Sequence, residues 1–333
     1  MSSLERLGWN SFFQEQVIPE FALLRMARVI EEQRGLCRVA GDFDGWAEVS
    51  GRFRHEANSA ADFPAVGDWV GVAAEPGAKR AVIHCRLKRR STVSRKAAGR
   101  AVDEQVLAAN VDTIFLVTAL TGDLNPRRIE RYLTMVWEAG AVPVVVLNKA
   151  DLCEDPSAAA DATRARLPFV DVLSVSALNA DGLDELRPYL RRATTIALLG
   201  SSGVGKSTLV NRLLGRDLQK VAAVRDADGQ GRHTTTTRQL VELAGGALLI
   251  DTPGMRAAHR LVLPASFRTG GRRPPFARPR PDRRRTRGGW HPYRRIAERR
   301  RTPLTPRRKR RSRPRPACMN VFHAAAASPA SDA

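Results

Sequence analysis

Four cysteines are scattered through 333 residues, at positions 37, 85, 153 and 318, and no two of them stand in a C-x-x-C pair. Such spacing offers neither a disulfide framework nor a zinc site. Long apolar runs are missing too: none reaches the roughly 18 residues of a membrane span. The opening residues, with Glu5 and Arg6, lack the apolar stretch of a secretory leader, so the chain is expected in the cytoplasm, away from membranes. Acid is scarce in one region only. Of 55 Lys+Arg and 34 Asp+Glu, residues 259–333 hold 22 and 3, leaving 33 and 31 for residues 1–258. The net charge of +21 therefore belongs almost wholly to a tail, and the body is nearly neutral.

What is present is dominated by Gly200-Ser201-Ser202-Gly203-Val204-Gly205-Lys206-Ser207, a match to G-x-x-x-x-G-K-[ST]. The β-rich run 194–199 precedes it, and Thr208 to Leu214 follow with helical spacing. Strand, glycine-rich loop, helix is the context of a phosphate-binding loop. Glycines let the backbone wrap close to a triphosphate with its amides turned inward. Lys206 is expected on the β- and γ-phosphates, the Ser207 hydroxyl on Mg2+, and the first turn, with Thr208, on the phosphates.

The base readers lie upstream. Val142 to Leu147 reads as a strand buried on both faces and ends in Asn148-Lys149-Ala150-Asp151. The Asp151 carboxylate accepts hydrogen bonds only, which suits the ring N–H and amine of guanine. Lys149 can cover the base, and Asn148 can bind the purine edge and brace the phosphate loop. A second strand, 170–175, ends in Ser176-Ala177, whose amides are expected on the guanine carbonyl. Downstream, the strand 246–250 ends in Asp251-Thr252-Pro253-Gly254, where Asp251 would hold Mg2+ through a water and the Gly254 amide would sense the γ-phosphate. Residues 231–237 include Thr234 to Thr237. Thr235 is taken as the Mg2+ ligand among these four, with the others open. The motif order is thus base readers, phosphate loop, switches, a rotation of the usual order that still leaves every strand end on one edge of a doubly wound sheet.

The remaining organisation follows from texture. Residues 1–34 read as an N-terminal arm, helical over 21–32, and 35–90 as short strands cut by glycine, a small β-barrel of OB-fold type. Trp46 and Trp69 are assigned to its core in preference to base stacking. Residues 86–100 carry seven cations and no acid, read either as a solvated linker (91–102) or as a phosphate-backbone contact. Residues 103–257 form the α/β circularly permuted P-loop GTPase domain, with a helix expected over 126–138.

A barrel carrying Gly67-Asp68-Trp69-Val70, the Arg90-x-x-x-x-Arg95-Lys96 segment, the Glu104-Gln105-x-x-x-x-Asn110-x-Asp112 entry and the permuted motifs together resemble the RsgA family over about residues 35–257. The resemblance implies a slow GTPase, stimulated by the small ribosomal subunit, that binds its rRNA during late maturation. A monomer is expected. The position after Asp-x-x-Gly, where Ras-type enzymes place a water-orienting glutamine, is Met255. His233 is the candidate that replaces it, and the resemblance points to the same residue. The family's C-terminal zinc domain, with C-x4-C-x-H-x5-C spacing, has no match here. Residues 258–333 hold 11 of the 20 prolines and long arginine runs. This Arg/Pro-rich tail is expected to be unfolded and reads as a frame-shifted replacement of the zinc domain, against the alternative of a genuine RNA-binding arm. That leaves a second functional reading, a GTP-gated RNA-binding protein with little or no turnover.

Overall fold

The computed structural model describes residues 1–33, 35–96, 104–121, 124–215, 238–251 and 261–262. Two short helices open the chain, α1 (Ser3–Arg6), closed at its start by a Ser2/Glu5 capping box, and α2 (Ser11–Gln14). They lead into β1 (Arg25–Gln33), β2 (Leu36–Gly41), β3 (Gly45–Val49), α3 (Gly51–Glu56), β4 (Trp69–Ala73) and β5 (Arg80–Arg86). The strands pair in the order 1-2-3-5-4 and close through β1 against β4, a five-stranded barrel. Only β3 and β5 run parallel. Its core is Val29, Val39, Phe43, Ala47, Val70, Val72 and Ile83.

Two expectations fail here. Residues 25–33 are a strand, not part of a helix, so the barrel takes its first strand from the expected arm. Met, Ala, Arg and Glu are good helix formers, and β1 carries no clean alternation because Met26 to Val29 are all buried. It pairs with β2, β4 and a strand of the next domain, and tertiary pairing overrides propensity. Likewise 46–53 is not one strand. Ser50 accepts a hydrogen bond from the Phe53 amide and caps α3. Trp69 is buried, edge-on to Trp9 and beside Phe13, so the arm covers it.

Beyond the barrel come β6 (Thr92–Lys96) and β7 (Glu104–Ala109), an antiparallel pair to which β14 (Leu261–Val262) adds a third strand. Then follow β8 (Thr113–Ala119), α4 (Pro126–Glu138), β9 (Val142–Asn148), α5 (Pro156–Arg166), β10 (Asp171–Ser174), β11 (Thr195–Leu199), α6 (Lys206–Leu213), β12 (Arg238–Glu242) and β13 (Leu248–Asp251). The sheet order is β10-β9-β8-β11-β13-β12, parallel except for β12. Helix α4 starts where Asn125 caps the Arg128 amide and Pro126 fits the first turn. It buries Ile129, Tyr132, Leu133 and Val136, one helical stripe, in the core shared with β8 and β9. Val144 to Leu147 of β9 are wholly buried, each stabilising the fold by about 1.5–3 kcal/mol over exposure.

The barrel and this sheet are continuous. β1 pairs with β12, Glu31 facing Gln239 and Glu32 facing Arg238, and Arg238 reaches the Glu32 carboxylate at 3.0 Å and the Val106 carbonyl at 3.2 Å. Four cations of the basic stretch, Arg86, Arg89, Arg90 and Arg95, are bonded within the chain at this seam, while Lys88 is exposed and the Lys96 side chain and residues 97–103 lie outside what the structure describes. Arg89 grips both Asp68 oxygens at 2.8 and 2.7 Å and the carbonyls of Ala61 and Phe63. Arg90 pairs with Asp112, Arg95 bonds Gln105, and Arg86 donates to the Asp62 carbonyl. Burial lowers the Arg89 pKa, but the Asp68 charge and hydrogen bonds more than reverse this and hold it above the ordinary arginine value.

Arg28 completes the seam. It is wholly buried and donates to the carbonyls of Gly67, Leu7 and Asn110, one each from barrel, arm and GTPase domain. Its guanidinium also lies 5.6 Å from the Trp69 ring centre. Burial presses its pKa down to about 9, so it stays charged at neutral pH. Gly67 is required by close approach: an added Cβ would stand 2.1 Å from the Ala109 carbonyl oxygen, at φ +95°.

Candidate nucleotide-binding site

Parallel strands put their C-terminal ends on one edge, and four of them end in the motifs. Asn148 closes β9, Ser176 and Ala177 follow β10, residues 200–205 link β11 to α6, and Asp251 closes β13. Lys206, Ser207 and Thr208 form the first turn of α6.

Asn148 joins two of these loops. Its Nδ2 donates to the Val204 carbonyl at 2.8 Å, and its Oδ1 accepts from the Ala177 amide at 3.0 Å. The Ser176 hydroxyl in turn donates to Asp151 Oδ1. A chain of hydrogen bonds therefore runs from the exposed Asp151 carboxylate through the 176–177 loop to the phosphate-binding loop, with Asn148 buried at its centre. Lys149, between the two, holds a left-handed φ of 64°, a strained backbone position of the kind that collects at functional sites.

The phosphate loop is packed as tightly. An added Cβ on Gly205 would lie 2.2 Å from Asn148 Nδ2, and one on Gly200 2.1 Å from the Val117 carbonyl oxygen. Lys206 donates to the carbonyls of Gly200, at 2.7 Å, and Ser201, closing the loop over the start of α6. Ser202 and Gly203 lie exposed at its outer side.

The amides expected on the guanine carbonyl have acceptors of their own. The Ser176 amide donates to the Asp181 carbonyl at 2.9 Å and the Ala177 amide to Asn148, because the loop folds back and satisfies its own turn. Both amides are thus bonded within the chain. The Leu178 amide, next along, donates to no described residue.

Two arginines outside the expected set also reach the site. Arg128 of α4 donates to the Ser201 hydroxyl at 3.1 Å. Arg212 of α6 donates to the carbonyls of Ala177, at 3.2 Å, and Leu178. Neither carries a motif of its own; only their distance along helices that start beside the loops could have pointed to them. His233, Thr235, Gly254, Met255, and the tail with Cys318 and His323, apart from Leu261 and Val262 of β14, lie outside the described residues.

The RsgA GTPase family model matches residues 86–260. The small ribosomal subunit biogenesis GTPase RsgA of Opitutus terrae is 47% identical over 265 residues, covering 76% of this chain and 72% of the relative. The chain belongs to the RsgA GTPase family. An RsgA 2 of Lactiplantibacillus plantarum is 46% identical over 234 residues, 69% of this chain; the match spans 65% of that relative's own length, just under two thirds. Among solved structures, YjeQ from Thermotoga maritima superposes with a TM-score of 0.53 at 25% identity, covering 69% of this chain and 75% of that one. YloQ, described as a circularly permuted GTPase, gives 0.50 at 23%, covering 71% and 74%. The α/β circularly permuted domain behind a five-stranded barrel is thus the RsgA fold, and the rotated motif order reflects it.

Proposed function

We propose that this chain binds and hydrolyses GTP as an assembly factor of the small ribosomal subunit, contacting its rRNA in the cytoplasm as a monomer. The observation that carries the reading is the hydrogen-bond chain from Asp151 through Ser176, Ala177 and Asn148 to Val204. It ties a guanine-selecting carboxylate to a triphosphate cradle at one sheet edge. The donor set also suits a hard divalent cation. Ser207 and, through water, Asp251 would hold Mg2+, with Thr235 as the switch ligand and the Gly254 amide at the γ-phosphate. Bound Mg2+ would neutralise charge on the phosphates.

His233 is proposed to orient the attacking water in place of the glutamine that Met255 replaces, once RNA or ribosomal protein brings it to that water. The test is phosphate release from GTP with and without small subunits. The proposal expects slow release that rises with subunits, and a His233→Ala protein that binds GTP as before but has lost the rise. A rise that survives the substitution removes His233; GTP bound but never hydrolysed favours the second reading, a GTP-gated RNA-binding protein. That reading draws on the Arg/Pro-rich residues 258–333, which stand where the resemblance would place the zinc domain. Translating the gene in its other two frames beyond codon 257 tests the frame shift: a cysteine-histidine cluster in either one supports it, and none in both makes the tail genuine.

A further inference from the structure

Helix α6 starts at the phosphate loop and ends beside the base loop. Arg212 lies six residues beyond Lys206, about 9 Å along the axis at 1.5 Å per residue. There its guanidinium holds two successive carbonyls, Ala177 at 3.2 Å and Leu178. The first of these matters most. The Ala177 carbonyl and the Leu178 amide belong to one planar trans peptide, so they point in opposite directions. Fixing the oxygen against α6 fixes the Leu178 N–H to point away from it.

The neighbouring amides are already committed. The Ser176 and Ala177 amides serve Asp181 and Asn148, and the Asn179 amide donates to the Ser176 hydroxyl at 3.1 Å. That same hydroxyl is bonded to Asp151, which anchors the loop to the carboxylate. Among the amides of residues 176–179, that of Leu178 alone lacks a described acceptor, and Arg212 sets its direction.

We propose that Arg212 is a positioning residue for purine selection: by gripping the Ala177 and Leu178 carbonyls it aims the Leu178 amide at the 6-oxo group of guanine. Asp151 would read the ring N–H and 2-amino side of the base, and Leu178 the 6-position. Adenine would there set its 6-amino donor against an N–H donor, which leaves both unpaired. The inference rests on the guanine reading above and adds to it a residue that touches no part of the nucleotide.

The test measures affinities of the full chain, with Arg212 intact and as Arg212→Ala and Arg212→Lys, for three probes by competition against a fluorescent GTP analogue. GTP carries both groups, inosine triphosphate keeps the 6-oxo group and lacks the amine, and 2-aminopurine riboside triphosphate keeps the amine and lacks the oxygen. Arg212→Ala is expected to weaken GTP and inosine triphosphate about tenfold, the size of one misdirected hydrogen bond. 2-Aminopurine riboside triphosphate should change less than twofold. Arg212→Lys, able to satisfy one carbonyl, should restore part of the GTP loss. An equal loss for all three probes would make Arg212 merely structural and overturn the proposal, as would no loss for any. If Arg212→Ala does not fold, Arg212→Lys carries the same comparison, a selective partial loss against a uniform one. Unsubstituted protein that binds GTP no better than ATP would instead sink the guanine reading itself.

Discussion

The barrel–sheet seam and the C-terminal edge of the same sheet use the same side-chain types to opposite ends. At the seam, Arg28, Arg89, Arg90 and Arg238 finish on carboxylates or carbonyls of this chain, and Asp68, Asn110 and Asp112 are bonded within the molecule. At the edge, Asn148, Lys206 and Arg212 also hold backbone, but they do so in order to leave other groups available. Asp151 is exposed, with only its Oδ1 bonded to a described residue, and the Leu178 amide has no described acceptor. A motif rich in Arg, Asn and Asp therefore does not announce a ligand. What separates binding from bracing is whether polar atoms remain after the fold has used its share.

This contrast can be broken most forcefully at Asp68. It is wholly buried against an Arg89 side chain only 9% exposed. Asp68→Ala strands that charge and should cost about 3–5 kcal/mol of stability in urea denaturation. GTP affinity of the fraction that stays folded should hold; a parallel collapse of affinity would mean that seam and site are one unit.

Asn148→Ala tests the other side. It leaves the buried Val204 carbonyl and Ala177 amide unpaired, about 1–3 kcal/mol for each. GTP affinity should fall tenfold to a hundredfold, roughly 1.4 kcal/mol per decade, when titrated with a fluorescent analogue. If stability falls and affinity does not, Asn148 braces the fold without organising the site.

The mildest change is Arg90→Ala. Its pair with Asp112 is partly exposed, at 42% and 26%. Solvent screening limits such a pair to about 1 kcal/mol or less, despite its place two residues from β6. A loss as large as that of Asp68→Ala would show that exposure is a poor guide to the seam.

Legibility followed the same divide. The parallel strands were open to inspection because β-branched runs such as Val142 to Leu147 read as buried on both faces, as Val144 to Leu147 are, and four of the five strands ended in a motif. Helix α4 announced itself through Asn125, Pro126 and its apolar stripe. β1 was hidden: a strand paired on several sides and buried on both faces loses its alternation, and its helix-forming residues pointed the wrong way. Arg89, Arg90 and Arg95 looked available because sequence shows a charge but not its partner, and the partners Asp68, Asp112 and Gln105 sit 10 to 22 positions away. At the site, the tetrapeptides located the edge, yet which loop amide stays open depends on a turn closing on Asp181 and on a helix passing at the distance of Arg212. Neither leaves a mark in one sequence.

The central claim is that guanine selection and triphosphate binding meet at one edge despite the rotated order of motifs. Exchange of Asp151 for Asn tests it most directly, because an amide donates where the carboxylate could only accept. Xanthine carries a 2-oxo group in place of the 2-amino group of guanine. Calorimetric titration should therefore show Asp151→Asn losing GTP and gaining xanthosine triphosphate, with the triphosphate still required for binding. An Asp151→Asn protein that binds GTP as tightly as before would place the base elsewhere and contradict the account.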